Sequence, residues 1–275
     1  MILFIYTFIL KMESSPNFSF IEIQTNLDYF QQLNSKKGAT IQELISYAHT
    51  LSPELNSWCT NHQEKLKISS LKDKGAVGKI IEFHLFGNVP NNQSIPDTLM
   101  GDIKVTHLKK IKKDFYNAKE RLTITNIGNE DKDTIVTHFI DKNSFQETKF
   151  WDKMQSGILF FLEEGKINTI EDLYHKPVFG IIRYDLNELL STHSEIATII
   201  QTDFTKIKNC IIDKNVSQKG QQYIHVHKHG GKHAKTRALG FTNKFVTLLY
   251  SIYMNTALIV KGRSHCIVPL QSTKN

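Results

Sequence analysis

Residues 74–105 read KGAVGKIIEFHLFGNVPNNQSIPDTLMGDIKV, and the closing Asp102-Ile103-Lys104 decides how the chain is read. After the Lys74-Gly75 turn, Ile80, Ile81 and Leu85 recur at helical spacing, with Val77 one turn earlier. That pattern predicts a helix over about 77–86. A polar loop with two prolines follows, and then a short strand over 101–106. Side chains alternate along a strand, so Ile103 and Val105 take one face while Asp102, Lys104 and Thr106 take the other. The helix therefore carries Glu82, the loop carries Asp97, and one strand face carries Asp102 beside Lys104.

Those residue types suit one kind of chemistry. Hard divalent cations take several oxygen ligands, and Mg²⁺ keeps some of its waters. Carboxylates at Glu82, Asp97 and Asp102 would hold such an ion against a phosphate. A lysine at position 104 would orient the attacking water and offset negative charge. A bare Asp-x-Lys is most often a surface ion pair, so the case rests on the two further carboxylates and on where the chain keeps its cations.

Charge is segregated. The whole chain carries +7, yet residues 214–275 contain no Asp or Glu and carry +10, so the first 213 residues carry −3. An acid-free basic stretch of this length points to a polyanion, most often nucleic acid. Within it, QYIHVHKH (222–229) alternates like a strand and leads into a glycine-rich turn. His225, His227 and His229 share one face, and three ligands on one strand converge poorly on a tetrahedral ion, since i and i+4 lie about 13 Å apart. DNA contact fits better: His227, Lys228, Lys232, Lys235 and Arg237 can reach phosphates and base edges, with the three lysines suited to phosphates and Arg237 to guanine, and the pattern leaves open which does which.

The rest of the chain supplies a scaffold. Residues 39–50 read as a helix with capping-box spacing between Thr40 and Glu43. Strands are expected over 121–127, 157–164 and 178–185, a long helix over 187–212, and either a strand or a helix over 245–254. Residues 128–133 and 163–172 read as solvated hairpin tips. The order predicts an α/β fold with a mixed central sheet flanked by helices. The 275 residues are 40% hydrophobic and 22% charged, as suits a globular core. Cys59, Cys210 and Cys266 are odd in number and far apart with no CxxC pair, which suggests neither a disulfide framework nor a zinc ribbon and favours a reducing, cytoplasmic setting. The apolar run MILFIYTFIL is shorter than the roughly 20 residues that span a bilayer, and it lacks a basic flank. No membrane association is expected, and translation is expected to start at Met12.

Taken together, KGAVGKIIEFHLFG, Asp97 and GDIKVT resemble the MutH-like branch of the PD-(D/E)XK nucleases. That family comprises mismatch-repair nicking endonucleases and GATC-specific type II restriction enzymes. GATIQELISYA (38–48), FWDKMQSGILFFL (150–162) and residues 223–249 extend the resemblance, and NAKERLTITNI (117–127) is closer to the restriction enzymes. The resemblance implies a restriction-endonuclease-like core over 35–185, after an N-terminal extension (1–34) and before a basic DNA-recognition portion (186–275). It implies Mg²⁺ held by Glu82, Asp97 and Asp102, catalysis by Lys104 with Lys153 as a further active-site lysine, and a DNA contact from Lys74. It also implies cleavage at GATC, or mismatch-repair partners for a nicking relative; one catalytic site cuts one strand, so a duplex cut needs two chains or two visits, and a symmetric site would favour a transient homodimer on the DNA. The chain departs from the family in carrying Asp rather than the more usual Glu at 102, and in a tighter interval between Asp97 and Asp102.

Overall fold

The computed structural model describes residues 18–68, 75–90, 97–112, 114–129, 133–215, 220–230, 233–261 and 264–268. It is an α/β protein in two compact units interleaved along the chain. The described residues up to 90, with 97–99 and 165–178, form the first unit; 100–164 and 179 onward form the second.

The first unit is helical. Thr40 caps the Ile41–Leu51 helix through the expected box, its hydroxyl accepting from Glu43 N–H while the Glu43 carboxylate accepts from Thr40 N–H. Ser52 caps the next helix, Pro53–Asn61, which starts on proline. The expected helix over 77–86 runs Ala76–Phe86, with Ile80, Ile81 and Leu85 fully buried. Residues 18–35 are no appendage. They form the short helices Glu22–Thr25 and Leu27–Ser35, and the Tyr29 hydroxyl donates to the Leu85 carbonyl at 2.6 Å. The segment 163–172 is not a hairpin tip: it passes into the first unit and ends in the short Glu171–Tyr174 helix.

Among the described residues the second unit holds nine strands: β1 (Asp102–Lys112), β2 (Phe115–Ala118), β3 (Leu122–Asn129), β4 (Ser156–Glu163), β5 (Val178–Asp185, whose first residue belongs to the first unit), β6 (Ile224–Lys228), β7 (Thr236–Phe241), β8 (Leu258–Lys261) and β9 (Ser264–Ile267). Six form a mixed sheet in the order β5-β4-β1-β2-β9-β8, with β1 parallel to β4 and antiparallel to β2. β1 thus outruns the expected 101–106, because its second half has β2 to pair with. The other three form a sheet in the order β3-β7-β6. Since β3 precedes β4 while β6 and β7 follow β5, the chain does not divide at residue 185: its C-terminal part completes a sheet begun near residue 122.

Helices cover this unit. The ambiguous 245–254 stretch is helical (Asn243–Tyr253), with Thr242 as its cap and Phe245, Val246, Leu249 and Tyr250 buried. The expected 187–212 helix breaks at His193 into Leu186–Thr192 and Ser194–Ile212. Buried Asp203 on the longer piece accepts the N–H groups of Gln222, Tyr223 and Ile224, which fixes where β6 begins. Among the described residues no helix is long and apolar enough to cross a membrane. The apolar 1–10 run, Met12 and much of the 128–133 turn lie outside the described residues.

Candidate active site

Asp102 and Lys104 occupy alternate positions on β1, and the i, i+2 geometry brings them together: Lys104 Nζ lies 2.9 Å from Asp102 Oδ2. Lys153 arrives from another direction. The one-turn helix Trp151–Met154, anchored by buried Trp151 and Met154, places Lys153 Nζ 3.6 Å from Asp102 Oδ1. Asp102 is 1% exposed, whereas Lys104 and Lys153 are 25% and 18% exposed. The carboxylate is thus sunk in the sheet, and the two ammonium groups reach outward past it.

Two glycines make this possible. Gly101 has φ +111°, and a Cβ there would strike the backbone of Ser156 and Gly157 on β4. Gly157 is the register partner of Asp102, and a Cβ on it would lie 2.8 Å from the Asp102 carbonyl and 2.9 Å from the Tyr184 hydroxyl oxygen. Gly157→Ala is therefore expected to destabilise the fold by about 1–3 kcal/mol, through overpacking, and to displace Tyr184. A denaturant titration checks this, and an unchanged midpoint would mean the strands part freely here.

Tyr184, on β5, is fully buried, and its hydroxyl has no hydrogen-bond partner among the described residues. Burial, and then the neighbouring Asp102 charge, raise its pKa, so it stays a neutral phenol. Among the described residues, neither Asp102 oxygen has a hydrogen-bond partner beyond the two lysine ion pairs. A buried carboxylate with unfilled acceptor capacity fits a hard cation.

Glu82 and Asp97 belong to the first unit. There Gly87 turns left-handed at the end of the Ala76–Phe86 helix, and Asn88 N–H donates to the Glu82 carbonyl at 3.0 Å. The Asn88 side chain then donates to the Asp97 carbonyl and accepts from Gln24 Nε2 at 2.9 Å. One asparagine thus ties the loop that carries Asp97 to the helix that carries Glu82.

A cavity of about 540 Å³ adjoins Lys153, lined also by Lys149, His138, Phe150, Thr125 and Asn126. Another, of about 500 Å³, is lined by Lys109, Lys110 and Lys112 of β1 together with Asn117 and Ser264. Both are basic concavities in the second unit, and neither is legible from residue patterns.

The histidine strand turns out differently in detail. His225 and His227 share a face, their rings stacked 4.7 Å apart. Burial lowers their pKa values to about 4 and about 3, so both are neutral near pH 7. His227 Nε2 bonds the Thr123 hydroxyl at 2.9 Å, across to β3. Arg237 is 2% exposed, and its guanidinium turns back on the carbonyls of Ala234 and Thr236. As folded it braces the ribbon, and a guanine contact would require it to swing out. Lys228 and Lys235 are exposed near the β6–β7 connection. Lys74 and Lys232 lie outside the described residues.

No protein-family model matches the chain, and no curated protein matches it.

Proposed function

We propose that the chain is a Mg²⁺-dependent endonuclease that hydrolyses phosphodiester bonds of double-stranded DNA, a MutH-like PD-(D/E)XK nuclease acting as a type II restriction enzyme at GATC. The observation that carries this reading is the buried Asp102 carboxylate held between Lys104 and Lys153 in the middle of a mixed sheet. Glu82, Asp97 and Asp102 would hold the ion, which when bound supplies hydroxide near neutral pH and stabilises the charge building on phosphorus. Lys104 holds the attacking water in line and offsets the developing charge. Lys153 keeps the Asp102 carboxylate oriented, and Tyr184, a neutral phenol, adds no competing charge. A restriction-endonuclease-like core is part of the same reading, as is a transient two-fold dimer on a symmetric site, since one such centre cuts one strand.

The acid-free C-terminal stretch, residues 214–275, supports DNA as the polyanion. Exposed Lys228 and Lys235, with Lys232 between them in sequence, are assigned to phosphates. Neutralising all three should flatten the salt dependence of DNA binding by about 0.9 log unit for each phosphate no longer neutralised. An unchanged slope would move the DNA surface elsewhere, with the lysine-lined cavity beside β1 and β2 the next place to look.

The recognition sequence is tested by digesting unmethylated and methylated plasmid and sequencing the ends. Ends gathered at GATC on both strands support the restriction reading. Single-strand nicks at GATC would favour the mismatch-repair reading, and scattered ends would exclude GATC as the site.

A further inference from the structure

Three helices of the first unit each turn one soft ligand toward a common point. His49 lies in the last turn of Ile41–Leu51, Cys59 near the end of Pro53–Asn61, and His84 in Ala76–Phe86. Their ligand atoms all lie within 4.8 Å of one another. Cys59 is 2% and His84 9% exposed, and His49 Nε2 and His84 Nδ1 are buried without a hydrogen-bond partner among the described residues. Buried ring nitrogens left unpaired are costly, and two of them beside a thiol call for an explanation.

We propose that His49, Cys59 and His84 form a zinc site that staples these three helices together. One thiolate and two imidazoles suit a borderline-soft ion and are a poor set for Mg²⁺. Tetrahedral zinc with one sulfur and two nitrogen ligands sets neighbouring ligand atoms about 3.3–3.6 Å apart, so the cluster, within 4.8 Å now, need close by at most about 1.5 Å. Three protein ligands leave the fourth position to water. Burial raises the Cys59 thiol to about 12, so zinc must displace its proton, and affinity should rise with pH. The helix that carries His84 also carries Glu82.

The test uses the full-length protein, stripped with chelator and titrated with Zn²⁺ against a chromophoric competitor, and separately with Co²⁺ followed by absorption. One tight equivalent of zinc per chain is expected, together with tetrahedral Co²⁺ bands and a thiolate-to-cobalt charge-transfer band. Cys59→Ala should abolish that band and weaken zinc binding by at least about 100-fold, since losing a direct ligand costs more than the 10–100-fold of an outer-shell partner. If a variant fails to fold, the wild-type cobalt spectrum decides alone. Absence of stoichiometric binding, a cobalt complex without the thiolate band, or zinc binding unchanged in a folded Cys59→Ala would each overturn the proposal. The last two outcomes would place the ion away from Cys59.

Discussion

Lys104→Ala should lower Mg²⁺-dependent DNA cleavage by about 10³-fold, in the upper part of the range for losing a positioned proton-transfer or charge-offsetting group. The fold should survive the change. Lys104 is a quarter exposed, its strand is held by β2 and β4 on either side, and Asp102 keeps Lys153 as a partner. DNA binding should stay within a few-fold of wild type, because one ammonium group is lost from a surface with many. Single-turnover cleavage and equilibrium binding in chelator separate the two effects. Cleavage within tenfold of wild type would mean that Lys104 is only the partner of an ion pair.

Asp102→Asn should abolish cleavage to a similar extent and differ in what it does to the metal. The amide keeps the shape and removes the charge, so any Mg²⁺-induced rise in melting temperature should vanish in this variant and persist in Lys104→Ala. Stability in chelator should fall modestly. Leaving buried charge uncompensated costs about 3–5 kcal/mol in deep sites, but Lys104 and Lys153 are partly exposed and their long stems let them turn toward water. A loss near 1–2 kcal/mol is therefore expected, below that deep-site range. Thermal scans with and without Mg²⁺ check both statements. A metal response that survives in Asp102→Asn would remove this carboxylate from the ligand set.

Much of the scaffold can be read from the chain because local rules and packing agree there. The capping box at Thr40, the apolar positions of Ala76–Phe86 and the residues of β5 fall where their patterns put them. The pairing of Asp102 with Lys104 follows from strand alternation alone. What the patterns miss is tertiary. His193 breaks a helix that the apolar spacing carries straight through. Lys153 reaches Asp102 because Trp151 and Met154 bury their short helix against the sheet, which no spacing rule encodes. Asn88 looks like one more polar loop residue until the left-handed Gly87 aims it at Asp97. Arg237 looks like a base-reading arginine, and burial on β7 makes it a brace. Gly157 and Tyr184 carried a faint signal, a glycine opening an apolar run and a tyrosine within another, and only the β1–β4 register gives them meaning.

The most direct test of the central claim incubates supercoiled plasmid with wild-type protein and with Lys104→Ala, each with Mg²⁺ and with chelator, and follows strand breakage. Breakage by the wild type in Mg²⁺ alone, lost in the variant, is the expected result. Intact plasmid with folded, DNA-binding wild-type protein in Mg²⁺, or equal cutting by both proteins, would contradict it.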